Sequence, residues 1–282
     1  MKRKKVLVTG ADGVFAKYVI DHFKKNNYNV IPTNKSLVDV SKKENVLKIV
    51  NSENPDIIIH LAALTNVDEC EKNPTKARRV NALGTRNIAA ACGPMRTLIY
   101  ISTSAVFDGN KKGYSELDQP APLNIYGKTK LEGEEFVKST LKEYYIVRAG
   151  WLIGGGEKEK KFISYIIDDI KKGKRISVVN DKFGTITYAR ELAVFLEELI
   201  YHKHPFGIYH YGSKGVCSRH DIAKQIAKIL EKDILINAIP SDKFKKVFFA
   251  PRPKYEVLKS IMIKFPNTWR RSLTDYIHHE FN

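Results

Sequence analysis

Cysteine is scarce in this sequence: Cys70, Cys92 and Cys217 are the only three, far apart and with no CxxC pair. Such spacing offers neither a disulfide framework nor a zinc-ligand set, so buried or idle thiols and no bound metal are expected. Long hydrophobic runs are also missing. The apolar runs present, such as 57–59, are strand-sized, far short of the ~20 apolar residues that span a membrane, and no membrane partner is expected. Acidic residues are in short supply, with 31 Asp and Glu against 48 Lys and Arg, a formal charge of +17. That surplus favours anionic ligands. The lysines are nevertheless dispersed over helix faces (Lys24-Lys25, Lys42-Lys43, 158–161, Lys171-Lys172) and not interleaved with aromatics in one tract. Dispersed charge is usually solvated surface, so a nucleic-acid partner is not expected. The basic start, Met1-Lys-Arg-Lys-Lys5, lacks the apolar region and cleavage site of a signal peptide, which points to a cytoplasmic protein.

A chain of 282 residues exceeds the usual size of one domain and can bury a substantial core. Short β-rich runs at 5–9, 29–32, 56–61 and 97–102 alternate with helical patterns at 13–26, 43–52 and 74–92. That alternation predicts βαβ crossovers and a Rossmann-type doubly wound parallel sheet of the α/β class. The strands read as near-continuous apolar runs, as they should when helices cover both faces. A helix near 126–142 and a strand at 144–148 close this pattern. The expected division is therefore a dinucleotide-binding domain over 1–150 and a mainly substrate-binding α/β domain over 151–282, with some later segments free to return to the first. In the second part, helices are expected near 162–172, 188–202, 218–232 and 268–279, and strands at 176–179 and 207–211. No internal repeat or low-complexity segment interrupts the chain.

The first strand runs into Thr9-Gly10-Ala11-Asp12-Gly13-Val14-Phe15-Ala16, a glycine turn that opens a helix. Gly10 permits a tight turn, Gly13 lets the backbone approach a pyrophosphate, and the small Ala16 lets the helix pack on the sheet. The helix N-terminus then offers free N–H groups to the phosphates. After the second strand, where an acidic residue often holds the ribose hydroxyls of NAD, stands Pro32-Thr33-Asn34-Lys35. With no carboxylate there, and with Lys35 able to pair with a 2′-phosphate, NADP(H) is the preferred cofactor and NAD(H) the second choice. Asp39 could accept from the adenine amino group.

Tyr126-Gly-Lys-Thr-Lys130 follows Ile101-Ser-Thr-Ser-Ala-Val-Phe107, the end of the fourth strand. Tyrosine and lysine four apart share one helix face. A free phenol has a pKa near ~10. A neighbouring ammonium is expected to lower it and make Tyr126 a workable general acid or base. Thr103 would hold the substrate oxygen, and Lys130 could also reach the ribose hydroxyls.

With these motifs the sequence resembles the extended short-chain dehydrogenases and, within them, the dTDP-4-dehydrorhamnose reductase (RmlD-like, sugar-nucleotide-binding) family. The carriers run over nearly the whole chain: Val8 to Gly13, His60 to Glu71, Val80-Asn-Ala82, Ala121 to Lys130, Val147-Arg148 with Trp151, Val179 to Gly184, and Arg252-Pro253. The resemblance implies that Gly13, Val14, Phe15, Asn34, Asp39, Val40, Ala62, Ala63 and Leu64 line the cofactor, beside Gly10, Asp12 and Lys35. It implies a catalytic group of Thr103, Tyr126 and Lys130, with Trp151 and Arg252 facing the sugar nucleotide; a guanidinium suits a diphosphate.

One departure stands out. Relatives of this kind usually carry Thr-Asp-Tyr-Val-Phe after the fourth strand, whereas here Thr103 is followed by Ser104-Ala105-Val106-Phe107. The acidic and aromatic groups expected near the sugar are missing, so Ser104 should border a pocket of altered shape and polarity. The reading is a reductase that uses NADPH on the carbonyl of a nucleotide-linked keto sugar, at C4. A sugar-nucleotide epimerase stays open, as does a non-catalytic NADP-binding subunit resembling the regulatory subunit of methionine adenosyltransferase. A homodimer is also left open.

Overall fold

The computed structural model describes residues 3–156, 162–244 and 249–281. In chain order its regular elements begin with β1 (Lys5–Thr9), α1 (Val14–Lys25), β2 (Asn29–Thr33), α2 (Lys43–Glu53) and β3 (Ile57–His60). Two short helices follow, α3 (Val67–Lys72) and α4 (Pro74–Arg78), then a π-turn (Arg79–Leu83), α5 (Gly84–Cys92), β4 (Thr97–Thr103), α6 (Ile125–Thr140) and β5 (Tyr144–Ala149). The chain continues through β6 (Trp151–Ile153), α7 (Phe162–Lys171), β7 (Ile176–Val179), β8 (Phe183–Gly184), β9 (Ile186–Tyr188), α8 (Ala189–Tyr201) and β10 (Gly207–Tyr211). It finishes with β11 (Cys217–Ser218), α9 (Arg219–Ile229), β12 (Ile236–Ile239), β13 (Tyr255–Glu256) and α10 (Trp269–Glu280).

Six parallel strands form the main sheet in the order β2-β1-β3-β4-β5-β10. Side chains alternate across it as the period of two requires. Val6, Val8, Ile57, Ile59 and Val147 pack under α1 and α8 with Phe15, Val19, Leu192 and Leu196. Leu7, Ile58, Leu98 and Ile146 face the opposite layer, with Val46, Val50, Ile88 and Val137 from α2, α5 and α6. Each strand is therefore apolar on both faces, which is why the runs read as unbroken. The expected doubly wound fold is what forms. The strand order reverses at the β1–β3 pair, so a crevice opens beyond the C-terminal ends of those two strands.

A smaller layer of α7, α9 and α10 closes over β7 and β9, with Ile163, Ile167, Ile176, Ile222, Ile226, Leu273 and Ile277 at its centre. The pattern at 74–92 reads as one helix but is interrupted by the π-turn. All three cysteines are buried and unpaired.

Candidate active site

The glycine turn at the end of β1 is fixed by contacts no other residue allows. Gly10 has φ +72°, and a Cβ there would lie 2.8 Å from the backbone of Ala62. Gly13, whose N–H donates to the Gly10 carbonyl at 2.9 Å, caps α1 without any side-chain cap, and no acidic residue stands in the first helical turn. The helix end thus keeps unpaired N–H groups and its positive dipole.

That end opens on a cleft of about 710 Å³. Gly10, Asp12, Gly13, Val14 and Phe15 form one wall, and Asn34, Lys35, Asp39 and Val40 the wall beyond β2. Ala62, Ala63 and Leu64 line it after β3, and Thr103, Tyr126 and Lys130 stand at its far end. The structure brings every residue expected at the cofactor into this one space. Asn34 ties two of its edges together: its Nδ2 donates to Asp12 Oδ1 at 3.3 Å, and its Oδ1 accepts from Ser36 Oγ and the Leu37 N–H. Asp39 accepts from the hydroxyl and backbone N–H of Ser41. The Ser41 hydroxyl and, less strongly, Lys35 and Lys42 hold its carboxyl below the usual range.

Tyr126 stands in the first turn of α6. Asn124 caps that helix by accepting from the Gly127 N–H at 2.9 Å, and its Nδ2 donates to the Pro251 carbonyl at 3.0 Å. Gly127 lies against the end of β4, where a Cβ would come within 2.1 Å of the Ala105 carbonyl oxygen. This contact sets Tyr126 beside Thr103, whose Oγ1 accepts from the Ala105 N–H at 3.1 Å.

One turn on, Lys130 is almost fully buried, with its Nζ 4.0 Å from the centroid of the Tyr100 ring. Burial brings its pKa down to about 7, against the support of Glu134. Burial pushes Tyr126 the other way, to about 12, with the hydrogen bond from Thr103 acting in the opposite sense and Glu256 and Cys70 adding to the rise. The expected lowering of the phenol by Lys130 is therefore corrected: desolvation dominates both groups, and the ammonium is directed at the Tyr100 ring.

Two supporting residues had no role assigned to them from the sequence. Asn81, fully buried in the π-turn, holds the cleft wall: its Oδ1 accepts from the Leu64 N–H and its Nδ2 donates to the Leu64 carbonyl and to Thr129 Oγ1. Glu134, also fully buried, accepts two hydrogen bonds from Arg148, at 2.9 and 2.6 Å, and one from Ser102 at 2.5 Å. In the sequence Asn81 stood only as part of the Val80-Asn-Ala82 stretch that carries the resemblance, and Glu134 only as the residue one turn beyond Lys130 on the same helix.

The residues expected at the substrate divide between two spaces. Thr103 belongs to the cofactor cleft, while Trp151 and Arg252 line a second cavity of about 580 Å³. Trp151 packs its indole on Gly184, where a Cβ would stand 2.4 Å from the ring. Arg252 is held by Asp68 at 2.8 Å and by the Ala250 carbonyl at 3.1 Å. Ser104 joins the two spaces, since its Oγ donates at 3.1 Å to Glu256 Oε2, and Glu256 lines the second cavity. The acidic residue absent from the stretch after Thr103 thus has a counterpart from elsewhere: the Glu256 carboxylate reaches Ser104 from β13, far along the chain.

The family model described as RmlD substrate binding domain matches residues 4–281. The chain belongs to that family. Among curated RmlD relatives, the spore coat polysaccharide biosynthesis protein SpsK of Bacillus subtilis (strain 168) is 32% identical over 97% of this chain and 96% of its own length. The dTDP-4-dehydrorhamnose reductase of Mycolicibacterium smegmatis is 33% identical over 91% of this chain and 78% of its own. Among solved RmlD structures, the dTDP-4-dehydrorhamnose reductase of Bacillus anthracis in complex with NADP superposes with a TM-score of 0.93. It is 34% identical, with 99% of this chain and 100% of that one covered. The resemblance seen in the motifs is borne out. Among the described residues no helix is long and apolar enough to cross a membrane, and no group of three or more His, Cys, Asp or Glu side chains is placed to hold a metal.

Proposed function

We propose that the protein is an NADPH-dependent reductase of a nucleotide-linked 4-keto sugar, with dTDP-4-dehydrorhamnose as the first substrate to test. The observation that carries this reading is the convergence of Thr103, Tyr126 and Lys130 on the cleft that also receives the uncapped end of α1. The residues present fit a dinucleotide. Gly10 and Gly13 leave the turn bare of side chains, the helix end presents N–H groups to the pyrophosphate, and Lys35 is the cation for a 2′-phosphate.

The bound cofactor supplies a hydride. The chain itself handles the proton. With a pKa near 12, Tyr126 is protonated at neutral pH and able to give its Oη proton to the carbonyl oxygen of the substrate. Thr103 Oγ1 accepts from the Ala105 N–H and turns its hydrogen toward Tyr126, so the same hydroxyl can share the substrate oxygen with the phenol and orient it. Lys130, poised near neutrality over the Tyr100 ring, is the cation of this cleft available to the phenolate left behind and to the ribose hydroxyls of a bound cofactor.

The test is oxidation of NADPH and NADH by the purified protein with dTDP-4-dehydrorhamnose and other nucleotide 4-keto sugars. Tyr126→Phe should lower turnover by about 10²-fold or more, the usual weight of a positioned acid. Tight NADPH binding with no turnover of any member would overturn the reductase in favour of an epimerase or a regulatory subunit.

A further inference from the structure

Ser104, expected at the substrate, is 2% exposed and lines neither cavity. Its hydroxyl is committed to Glu256 Oε2 at 3.1 Å. Glu256, by contrast, does line the second cavity. Only one of its carboxylate oxygens is engaged: among the described residues Oε1 receives no hydrogen bond.

The placement of Glu256 follows from its strand. β13 runs parallel to β8 with Glu256 opposite Gly184, and the Thr185 N–H donates to the Glu256 carbonyl at 3.4 Å. Tyr255, the residue before it, stacks on Phe183 at 5.3 Å between ring centroids. Gly184 is the residue on which the Trp151 indole lies. The register therefore sets a carboxylate beside an aromatic plane, both on the wall of one cavity. A pyranose matches that combination, because its C–H face packs on an indole while its hydroxyls donate to a carboxylate. The charge is also felt at Tyr126, where it adds to the rise of the phenol, and at Arg219, whose cation it supports against burial. Glu256 is thus within electrostatic reach of the phenol, as a group that touches the reacting sugar must be.

We propose that Glu256 is the specificity-determining acidic residue of the substrate cavity, accepting a hydroxyl of the substrate's sugar through Oε1 while Ser104 holds Oε2 in place. The acidic contact that the stretch after Thr103 lacks is then supplied from β13, and a nucleotide without a sugar gains nothing from it. This role of Glu256 rests on the nucleotide-linked sugar reading given above, yet it is measurable without turnover.

Calorimetric titration of the full chain with dTDP-rhamnose, dTDP-glucose and UDP-glucose, each against its bare dTDP or UDP, isolates what the sugar adds. Wild type should bind at least one nucleotide sugar more tightly than its parent diphosphate. Glu256→Ala should weaken that nucleotide sugar about 10- to 100-fold, the range for a lost hydrogen bond to a charged group. The bare diphosphate should bind as tightly as before or more so, since a negative charge has gone, and NADPH should not change. Glu256→Gln keeps an acceptor oxygen and should recover part of the loss. Ser104→Ala leaves the carboxylate but frees it, and should give a smaller loss of the same kind. An undiminished sugar contribution in Glu256→Ala would overturn this role, as would a wild type that binds every nucleotide sugar no better than its diphosphate. Equal weakening of diphosphate and nucleotide sugar, with a lowered melting temperature, would overturn it too, since the carboxylate would then serve the fold alone. If the sugar contribution depends on Glu256 but no 4-keto sugar is reduced, the reductase reading fails and the Glu256 contact stands. If a 4-keto sugar is reduced with an unchanged KM in Glu256→Ala, the reverse holds.

Discussion

Glu134→Gln should disturb stability and proton chemistry together, because one carboxylate serves both. Glu134 and Arg148 are 0% and 2% exposed, and the carboxylate accepts two hydrogen bonds from the guanidinium and one from Ser102. The amide has nearly the same shape but leaves the buried guanidinium without a counter-charge and turns an NH2 group toward donors. Removing one partner of a buried pair costs about 3–5 kcal/mol, a large fraction of the ~5–15 kcal/mol that holds a typical domain folded. Urea unfolding at pH 7 gives the number. Adding Arg148→Met should recover much of the loss, since the stranded charge is then gone. The second effect appears in the pH–rate profile. Glu134 supports the Lys130 ammonium against burial, so its removal lowers the Lys130 pKa below about 7 and moves that limb of the profile to lower pH. A loss of stability under about 1 kcal/mol, typical of a solvated surface pair, would refute the reasoning.

The same titrations shape stability. Lys130 has a folded pKa of about 7 against 10.5; between those values the unfolded chain holds the extra proton, so stability of the cofactor-free protein should rise with pH by up to about 1.4 kcal/mol per unit. Lys130→Met should flatten that stretch in melts taken across the range. His60, buried between Thr9 and Thr85, is lowered by burial to about 3 from 6.5, so its contribution is lost as pH falls from 6.5 toward 3, and His60→Gln should make acid unfolding shallower there. Gly127→Ala, with a Cβ 2.1 Å from the Ala105 carbonyl, should cost on the order of 1–3 kcal/mol and depress kcat by displacing Tyr126; an unchanged kcat would contradict the placement. Lys35→Ala should weaken NADPH by about 10-fold, one charged contact, and leave NADH nearly unaffected; equal losses for both would remove Lys35 from the 2′-phosphate.

The cofactor cleft was legible because its parts sit at element ends: a glycine turn after β1, Thr103 at the close of β4, and Tyr126 and Lys130 one turn apart on α6. Long elements announced themselves by period, and β7 lies over 176–179 as expected. The short strands β6, β8, β9, β11 and β13, two or three residues each, carry no period of their own and form only because partners distant in sequence meet them. The π-turn was hidden inside a continuous helical pattern; within it Asn81 bonds the Leu64 backbone, a contact no local rule contains. Glu256 was invisible for the same reason: its partner Ser104 lies 152 positions away. The direction of the Tyr126 shift depends on how deeply the ring is covered, which residue types alone do not state.

The junction between the two layers consists of interlocked backbone. The Gly150 N–H donates to Thr187 Oγ1 at 3.0 Å, Trp151 N–H to the Thr185 carbonyl at 2.7 Å, Ser213 N–H to the Ile186 carbonyl at 2.7 Å, and Thr187 Oγ1 to the Tyr211 carbonyl at 3.1 Å. Side chains at Gly150 and Gly212 would strike Thr185, at 2.1 and 2.3 Å. Three passes of the chain are thereby laced at one seam. The spacing of the glycine turn and the cavity lined by Trp151 is therefore set when the protein folds, like the fixed jaw width of a gauge.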